Sequence, residues 1–237
     1  MRKLSFIVVA LLASAAAFSQ TPAKKTTVNR AADHLMIQLG ANFWSGTADS
    51  VKDYIKGFNR SANVYVMFDK QFKNNPSFSV AAGIGVGTSN IYFKSMEVKI
   101  DAFKAKLPFV RTDTGFHYKK YKLATAYLEI PLELRFMAKP ATPNKSVKGA
   151  IGVKVGTLVN AHTKGKNLET SGGTKLNGFT NKVSTRSYFN GTRLAVTARA
   201  GYGLFSLFGS YSITNIFKDG VAPDTKLIQI GLTISGL

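Results

Sequence analysis

The sequence contains no cysteine, which excludes a disulfide framework and leaves no thiol for a lipid anchor. Acidic residues are scarce, since 12 Asp and Glu stand against 32 Lys and Arg, and the formal charge is +20. The three histidines, His34, His117 and His162, are scattered without the spacing of a metal site. Outside the N-terminal region no stretch is apolar over the roughly 20 residues that a membrane-spanning helix needs. A disulfide-stapled domain and a helical membrane protein are therefore excluded.

The N-terminal region has the parts of an export signal. Arg2 and Lys3 precede an apolar run from Leu4 to Phe18, and small residues at 15–17 supply a cleavage site. Export argues against nucleic acid as the partner of this basic chain and favours anionic headgroups, lipopolysaccharide phosphates or acidic glycans. The expected division of the chain is a signal peptide over 1–19, a periplasmic tether over 20–32 and a folded domain over 33–237.

The folded domain alternates apolar and less apolar residues with a period of two, as in strands with unlike faces. In the fourth such segment, for example, Leu128, Ile130 and Leu132 alternate with Glu129, Pro131 and Glu133. The eight segments lie at 35–43, 62–69, 78–87, 128–136, 150–156, 193–199, 205–213 and 228–235. This pattern predicts an all-β fold.

The connections between these segments alternate in length. Short, turn-forming connections lie at 71–76, 139–146 and 201–203, and long ones at 45–60, 95–118, 163–187 and 214–225. Short periplasmic turns and long external loops are typical of outer-membrane barrels. We therefore expect an eight-stranded antiparallel up-and-down transmembrane β-barrel in the bacterial outer membrane.

Two further features favour a membrane barrel over a soluble one. The less apolar face of the third segment carries Ala81, Gly83, Gly85 and Gly87, and small residues suit a crowded lumen better than a water-facing surface. Aromatic residues also gather at segment ends, which predicts two interfacial girdles. The expected girdles are Phe43, Trp44, Tyr92, Phe93, Tyr188, Phe189 and Phe217 towards the long loops, and Phe68, Phe72, Phe78, Phe136, Tyr202 and Phe205 towards the short turns.

Several of these segments carry a family resemblance. They are a leader ending at Gln20, IQLGANF (37–43), YLEIPLELRF (127–136), IGVKVG (151–156) and IQIGLTISGL (228–237). With them the chain resembles the PorT-like outer-membrane β-barrel family of Bacteroidetes. The resemblance implies a barrel in the outer membrane and brings no catalytic signature with it. The PorT member of the family takes part in protein secretion, and this role is not carried over to the present chain.

Charged residues on the inward face predict a filled lumen. In the simplest register of the 139–146 turn, Lys154 lies across from Pro131, diagonally between Glu129 and Glu133. Arg193 and Arg199 point into the same narrow space, so opposite charges can pair there. Pro131 removes one ladder donor, which suggests a β-bulge. We call Glu129, Glu133, Lys154, Arg193 and Arg199 the lumen charge cluster.

The long loops carry a second set of charges. Contact with lipopolysaccharide phosphates is one interpretation, and a solvated charged loop is the other. The residues are Lys99, Lys104, Lys106, Arg111, Lys164, Lys166, Lys175, Lys182 and Arg186. Alternation of Met96, Val98 and Ile100 with charged residues predicts a hairpin above the membrane, with an edge available to a protein partner.

The expected function is therefore a non-catalytic outer-membrane barrel with a structural, surface-recognition or secretion-accessory role and no cofactor. A soluble periplasmic barrel that binds an apolar ligand is one alternative. A lipid-modifying enzyme is another, and it would use His162 with Glu169 and Ser171. Neither spacing nor a nucleophile motif supports that chemistry.

Overall fold

The computed structural model describes residues 34–112 and 115–235, so the expected signal peptide and tether lie outside the described residues. The strands are β1 (Leu35–Ser45), β2 (Asn59–Phe72), β3 (Asn75–Phe93), β4 (Met96–Val98), β5 (Phe109–Arg111), β6 (His117–Met137), β7 (Val147–Glu169), β8 (Lys175–Ser184), β9 (Thr192–Tyr202), β10 (Phe205–Ser212) and β11 (Lys226–Ser235). Helical structure in the described ranges is limited to α1 (Asp49–Lys52) and a 3-10 turn (Pro143–Lys145). No described helix is long and apolar enough to cross a membrane.

Eight of the strands form a closed antiparallel barrel. Their order around the wall is β6-β3-β2-β1-β11-β10-β9-β7, and pairing of β6 with β7 closes it. Seven of the eight contain a whole segment predicted from the alternating pattern, and β10 contains all of the segment 205–213 except Ile213. The predicted fold class is confirmed.

The two faces of the wall have opposite chemistry. Apolar side chains point outward and stay exposed, as with Ile151 (64 %), Leu207 (65 %) and Ile230 (54 %), whereas polar side chains such as Gln229 and Thr233 are buried inside. A continuous apolar exterior of this extent is unstable in water but matches the hydrocarbon of a bilayer. The soluble alternative does not account for this inverted pattern.

The wall extends well beyond the bilayer at the long-loop end. A transmembrane strand needs about 9–11 residues, whereas β6 has 21 and β7 has 23. Along its outer half β7 remains paired with β6, while β8 replaces β9 as its other neighbour. The region 163–187, expected as a loop, is therefore largely a β-hairpin.

The narrow lumen requires glycine on β3. A Cβ at Gly85 would lie 2.1 Å from the carbonyl oxygen of Val64 and 2.6 Å from the Tyr65 ring. Both distances are far below van der Waals contact. Gly85 therefore leaves space in the lumen for the side chain of Tyr65.

Candidate functional site

Glu129 on β6 is the centre of the first group of charges in the lumen. Its carboxylate lies 2.8 Å from the Arg193 guanidinium and 3.6 Å from the Lys154 ammonium, and it accepts a hydrogen bond of 2.5 Å from the Tyr65 hydroxyl. All four side chains are almost fully buried. Strands β2, β6, β7 and β9 each contribute one of them, so the group ties together distant parts of the wall.

The pairing of β6 with β7 sets this geometry. Pro131 lies opposite Lys154, the register that the turn length predicts. The prediction of a bulge at Pro131 is wrong. The register between β6 and β7 shifts between Ala126 and Tyr127 instead. On the other side of β6, the register with β3 is unchanged across Pro131, and the proline only interrupts the ladder there.

Glu133, four residues after Glu129 on β6, is the centre of a second group. Its carboxylate lies 3.1 Å from the Arg199 guanidinium and 2.8 Å from that of Arg135. Arg135 in turn lies 3.8 Å from the Asp69 carboxylate on β2. The structure therefore brings together all five predicted members of the lumen charge cluster, in two adjacent groups.

Sequence reasoning left Tyr65, Asp69 and Arg135 out of this cluster. Each lies on the less apolar face of its strand, the signal that marked the other members. Which side chains these residues meet across the lumen depends on how the barrel closes. The alternating pattern of a single strand does not predict that.

The opposite wall of the lumen is filled by neutral polar side chains. Gln229 on β11 donates to Asn42 on β1 (3.1 Å), and Asn42 donates to Ser89 on β3 (3.0 Å). Asn63 donates to Gln38 at 3.3 Å. These mutual hydrogen bonds occupy polar groups that a channel would leave to water.

A hydrophobic core, which we call the apolar cap, lies at the long-loop end of the barrel. It consists of buried Val51, Ile91, Phe93, Met96, Val98, Ile100, Leu107, Tyr121, Leu123, Tyr127, Leu158, Ala161, Tyr188, Phe189, Ile216, Phe217 and Leu227. Trp44 packs against it, with ring centroids 5.9 Å from Phe93 and 5.7 Å from Phe217. Residues from several of the long connections therefore pack together at this end.

The prediction of an aromatic girdle near the long loops is wrong, because most of its rings do not face outward. Phe93, Tyr188, Phe189 and Phe217 are buried in the cap, and only Phe43 (44 %) among the seven is a strongly exposed outward ring. The girdle at the short turns has the expected exposure. There Phe68, Phe72, Phe78, Phe136, Tyr202 and Phe205 are all at least 37 % exposed.

The predicted hairpin of the second long loop exists, but it is folded inward. β4 pairs with β5, and Met96, Val98 and Ile100 are buried in the apolar cap. The N–H of Val98 donates to the Tyr121 hydroxyl (3.0 Å), which donates back to the Val98 carbonyl (2.8 Å). Burial raises the pKa of Tyr121 to about 12, so the hydroxyl keeps its proton. At Val98 the edge expected to bind a partner is already occupied.

All the predicted surface cations lie at the long-loop end, and most are exposed. Lys99 pairs with Glu97 (2.5 Å), whereas Lys164 is half-buried on the outer face of β7. The others are Lys104, Lys106, Arg111, Lys166, Lys175, Lys182 and Arg186, all exposed.

The residues considered for catalysis do not form a site. His162 and Glu169 are seven residues apart on one strand, roughly 23 Å at the usual rise. Glu169 lies 3.2 Å from the Lys119 ammonium instead, and Ser171 is in the exposed turn beyond it. Within the described ranges, no group of three or more His, Cys, Asp or Glu is placed to hold a metal ion.

A closed barrel with an apolar exterior and a polar, charge-paired interior defines an outer-membrane β-barrel protein. Residues 18–218 match the outer membrane protein beta-barrel domain, and the chain belongs to that family. Among solved structures, Ail, the attachment invasion locus protein of Yersinia pestis, matches with 14 % identity and a TM-score of 0.35. That match covers 85 % of this chain and 94 % of the other. No curated protein matches the chain.

Proposed function

We propose that this protein is a sealed, non-catalytic outer-membrane barrel that holds an ordered recognition surface at the cell exterior. The observation that carries the proposal is the pairing of buried charges across the lumen, centred on Glu129 and Glu133, together with the apolar cap at the long-loop end.

The ion pairs oppose permeation for an energetic reason. An ion entering the lumen must compete with pairs whose members are already buried and matched at 2.8 Å (Arg193 with Glu129) and 3.1 Å (Arg199 with Glu133). Breaking a buried pair costs on the order of 3–5 kcal/mol, because one charge is left uncompensated. An eight-stranded barrel has no spare cross-section to route water around them.

The external end has the order and charge that a recognition surface needs. The β7–β8 hairpin projects from the wall, and the residues of its tip, 171–180, are all exposed. Phe103 is fully exposed beside Lys104 and Lys106 on the second long loop. Anionic lipopolysaccharide and a protein partner are the ligands that this combination favours.

The remaining sequence-based predictions belong to the same proposal. Residues 1–19 act as a cleaved signal peptide and residues 20–32 as a periplasmic tether, and the PorT-like resemblance favours a source in Bacteroidetes. N-terminal sequencing of the mature protein from an outer-membrane fraction tests the leader. A mature chain that begins near Gln20 supports it, and an intact Met1 in that fraction contradicts it.

Liposome swelling tests the sealed lumen. Proteoliposomes that contain the refolded protein are expected to swell in small sugars no faster than empty liposomes, whereas a general porin at equal protein-to-lipid ratio gives rapid swelling. Sugar uptake above the empty-liposome rate would contradict the proposal.

A further inference from the structure

Three lysines form a row on the outer wall of the barrel, above its apolar belt. Lys122 on β6 pairs across strands with Lys164 on β7, and Lys164 pairs with Lys182 on β8. We call these three residues the lysine row. Lys120 and Lys166 repeat the pairing one step further out.

The lysine row lacks a counter-charge within the described part of the chain. None of the ion pairs there includes Lys122, Lys164 or Lys182. Lys122 donates to the Asn90 amide oxygen at 2.6 Å and lies 5.9 Å from the centroid of the Tyr92 ring, and both of these partners are neutral. Burial, followed by repulsion from Lys164, lowers the pKa of Lys122.

Such an arrangement is costly unless something outside the chain balances it. Like charges directly opposite each other destabilise a sheet. The protein could have avoided this by pairing the lysines with acids, as it does inside the lumen. An anionic ligand that lies along the wall would offset the repulsion and gain charge-assisted hydrogen bonds.

The height of the lysine row indicates which anion it meets. The last strongly exposed apolar side chain on β7 is Val159 (55 %), five residues before Lys164. At the rise and tilt usual for barrel strands, five residues span roughly 13 Å along the membrane normal. The ammonium groups therefore lie just above the hydrocarbon, at the level of phosphate- and sugar-bearing headgroups, and face outward.

We propose that the lysine row binds the phosphate groups of lipopolysaccharide in the outer leaflet. The inference rests on the proposed function, which places this end of the barrel outside the cell. It assigns a defined site to the attraction between the basic external end and anionic lipopolysaccharide. It also adds Lys122, which the sequence did not single out.

The test uses the full mature barrel, refolded in zwitterionic detergent, with bisphosphorylated lipid A as the probe. The variant Lys122→Gln/Lys164→Gln/Lys182→Gln is compared with Lys73→Gln/Lys139→Gln/Lys145→Gln, which removes the same charge at the short turns. About a factor of five per lysine near an anionic surface predicts an affinity loss on the order of a hundredfold for the row variant. The control variant should bind like wild type.

Two further arms identify the ligand. Dephosphorylated lipid A should bind the wild type no better than the row variant, and millimolar inorganic phosphate should not displace bound lipid A. Full competition by inorganic phosphate would mean a free-anion site and would overturn the lipid assignment. Equal lipid A binding by wild type and row variant would overturn the proposal outright.

Folding of the row variant is checked by urea titration without lipid. Because repulsion is removed, its unfolding midpoint should equal or exceed that of wild type. A lower midpoint would show that the row is structurally required without any anion and would count against the proposal. Channel activity does not enter these readouts, so a conducting barrel would refute the sealed lumen while leaving this inference intact.

Discussion

Replacing Glu129 with glutamine should destabilise the barrel more than any single change to its cationic partners. The carboxylate is the shared partner of Arg193 (2.8 Å) and Lys154 (3.6 Å) and accepts from Tyr65 (2.5 Å). Glu129→Gln leaves two buried cations without their anion, and a cost of about 3–5 kcal/mol follows.

Lys154→Met should cost less, because Arg193 still neutralises Glu129 after the substitution. The loss is then mainly the charged contact of the ammonium with Glu129 and its 3.3 Å hydrogen bond to Tyr65, about 1.5–3 kcal/mol. Lys166→Met, at an exposed position outside the lumen, should change the free energy of unfolding by less than about 0.5 kcal/mol.

Urea unfolding in lipid vesicles measures this order through the fluorescence of Trp44, the single tryptophan. Trp44 packs against the apolar cap, so its signal reports loss of tertiary structure. Equal midpoints for Glu129→Gln and Lys166→Met would refute the reasoning, because the lumen carboxylate would then carry no net stabilisation.

Three further outcomes are expected. Gly85→Ala should lower the free energy of unfolding by about 1–3 kcal/mol, since its Cβ overlaps the Val64 carbonyl; an unchanged urea midpoint would contradict this. Burial and then the neighbouring lysines Lys182, Lys122 and Lys164 lower the pKa of His162, so protonation below the ordinary value of 6.5 should reduce folded-state stability. NMR titration should show the His162 pKa rising in Lys182→Gln, and no change would be evidence against repulsion between these two side chains. External protease on whole cells should cut within 171–180 and spare 139–146; the reverse pattern would invert the topology.

Much of the barrel could be predicted because its strands alternate with few interruptions. Once the fourth and fifth segments are joined by the 139–146 turn, the register places Lys154 opposite Pro131. Inward charges at Glu129, Glu133 and Arg193 follow from parity alone. These are local consequences of a period of two, which one strand and its neighbour determine.

The apolar cap could not be predicted in the same way. Counting outward from Val86 in steps of two reaches Tyr92, so parity does assign Phe93 to the inside, although its place at a strand end suggested a girdle. Tyr188 and Phe217 lie outside the strands, where no parity rule applies. Their burial comes from long connections that pack together at the long-loop end.

The like-charge pairing of the lysine row also needed the structure. The segment that contains Lys164 and Lys182 has many polar residues and no strong alternation, so it predicts a loop. Its pairing as a hairpin depends on the edge that the long β7 strand provides. Only that pairing brings Lys164 opposite both Lys122 and Lys182.

Planar-bilayer recording of the wild-type protein tests the sealed lumen most directly. With the ion pairs of Glu129 and Glu133 intact and the apolar cap in place, insertion should give no large, steady single-channel steps. Steady, large conductance steps from the purified wild-type barrel would show an open pore and contradict the account.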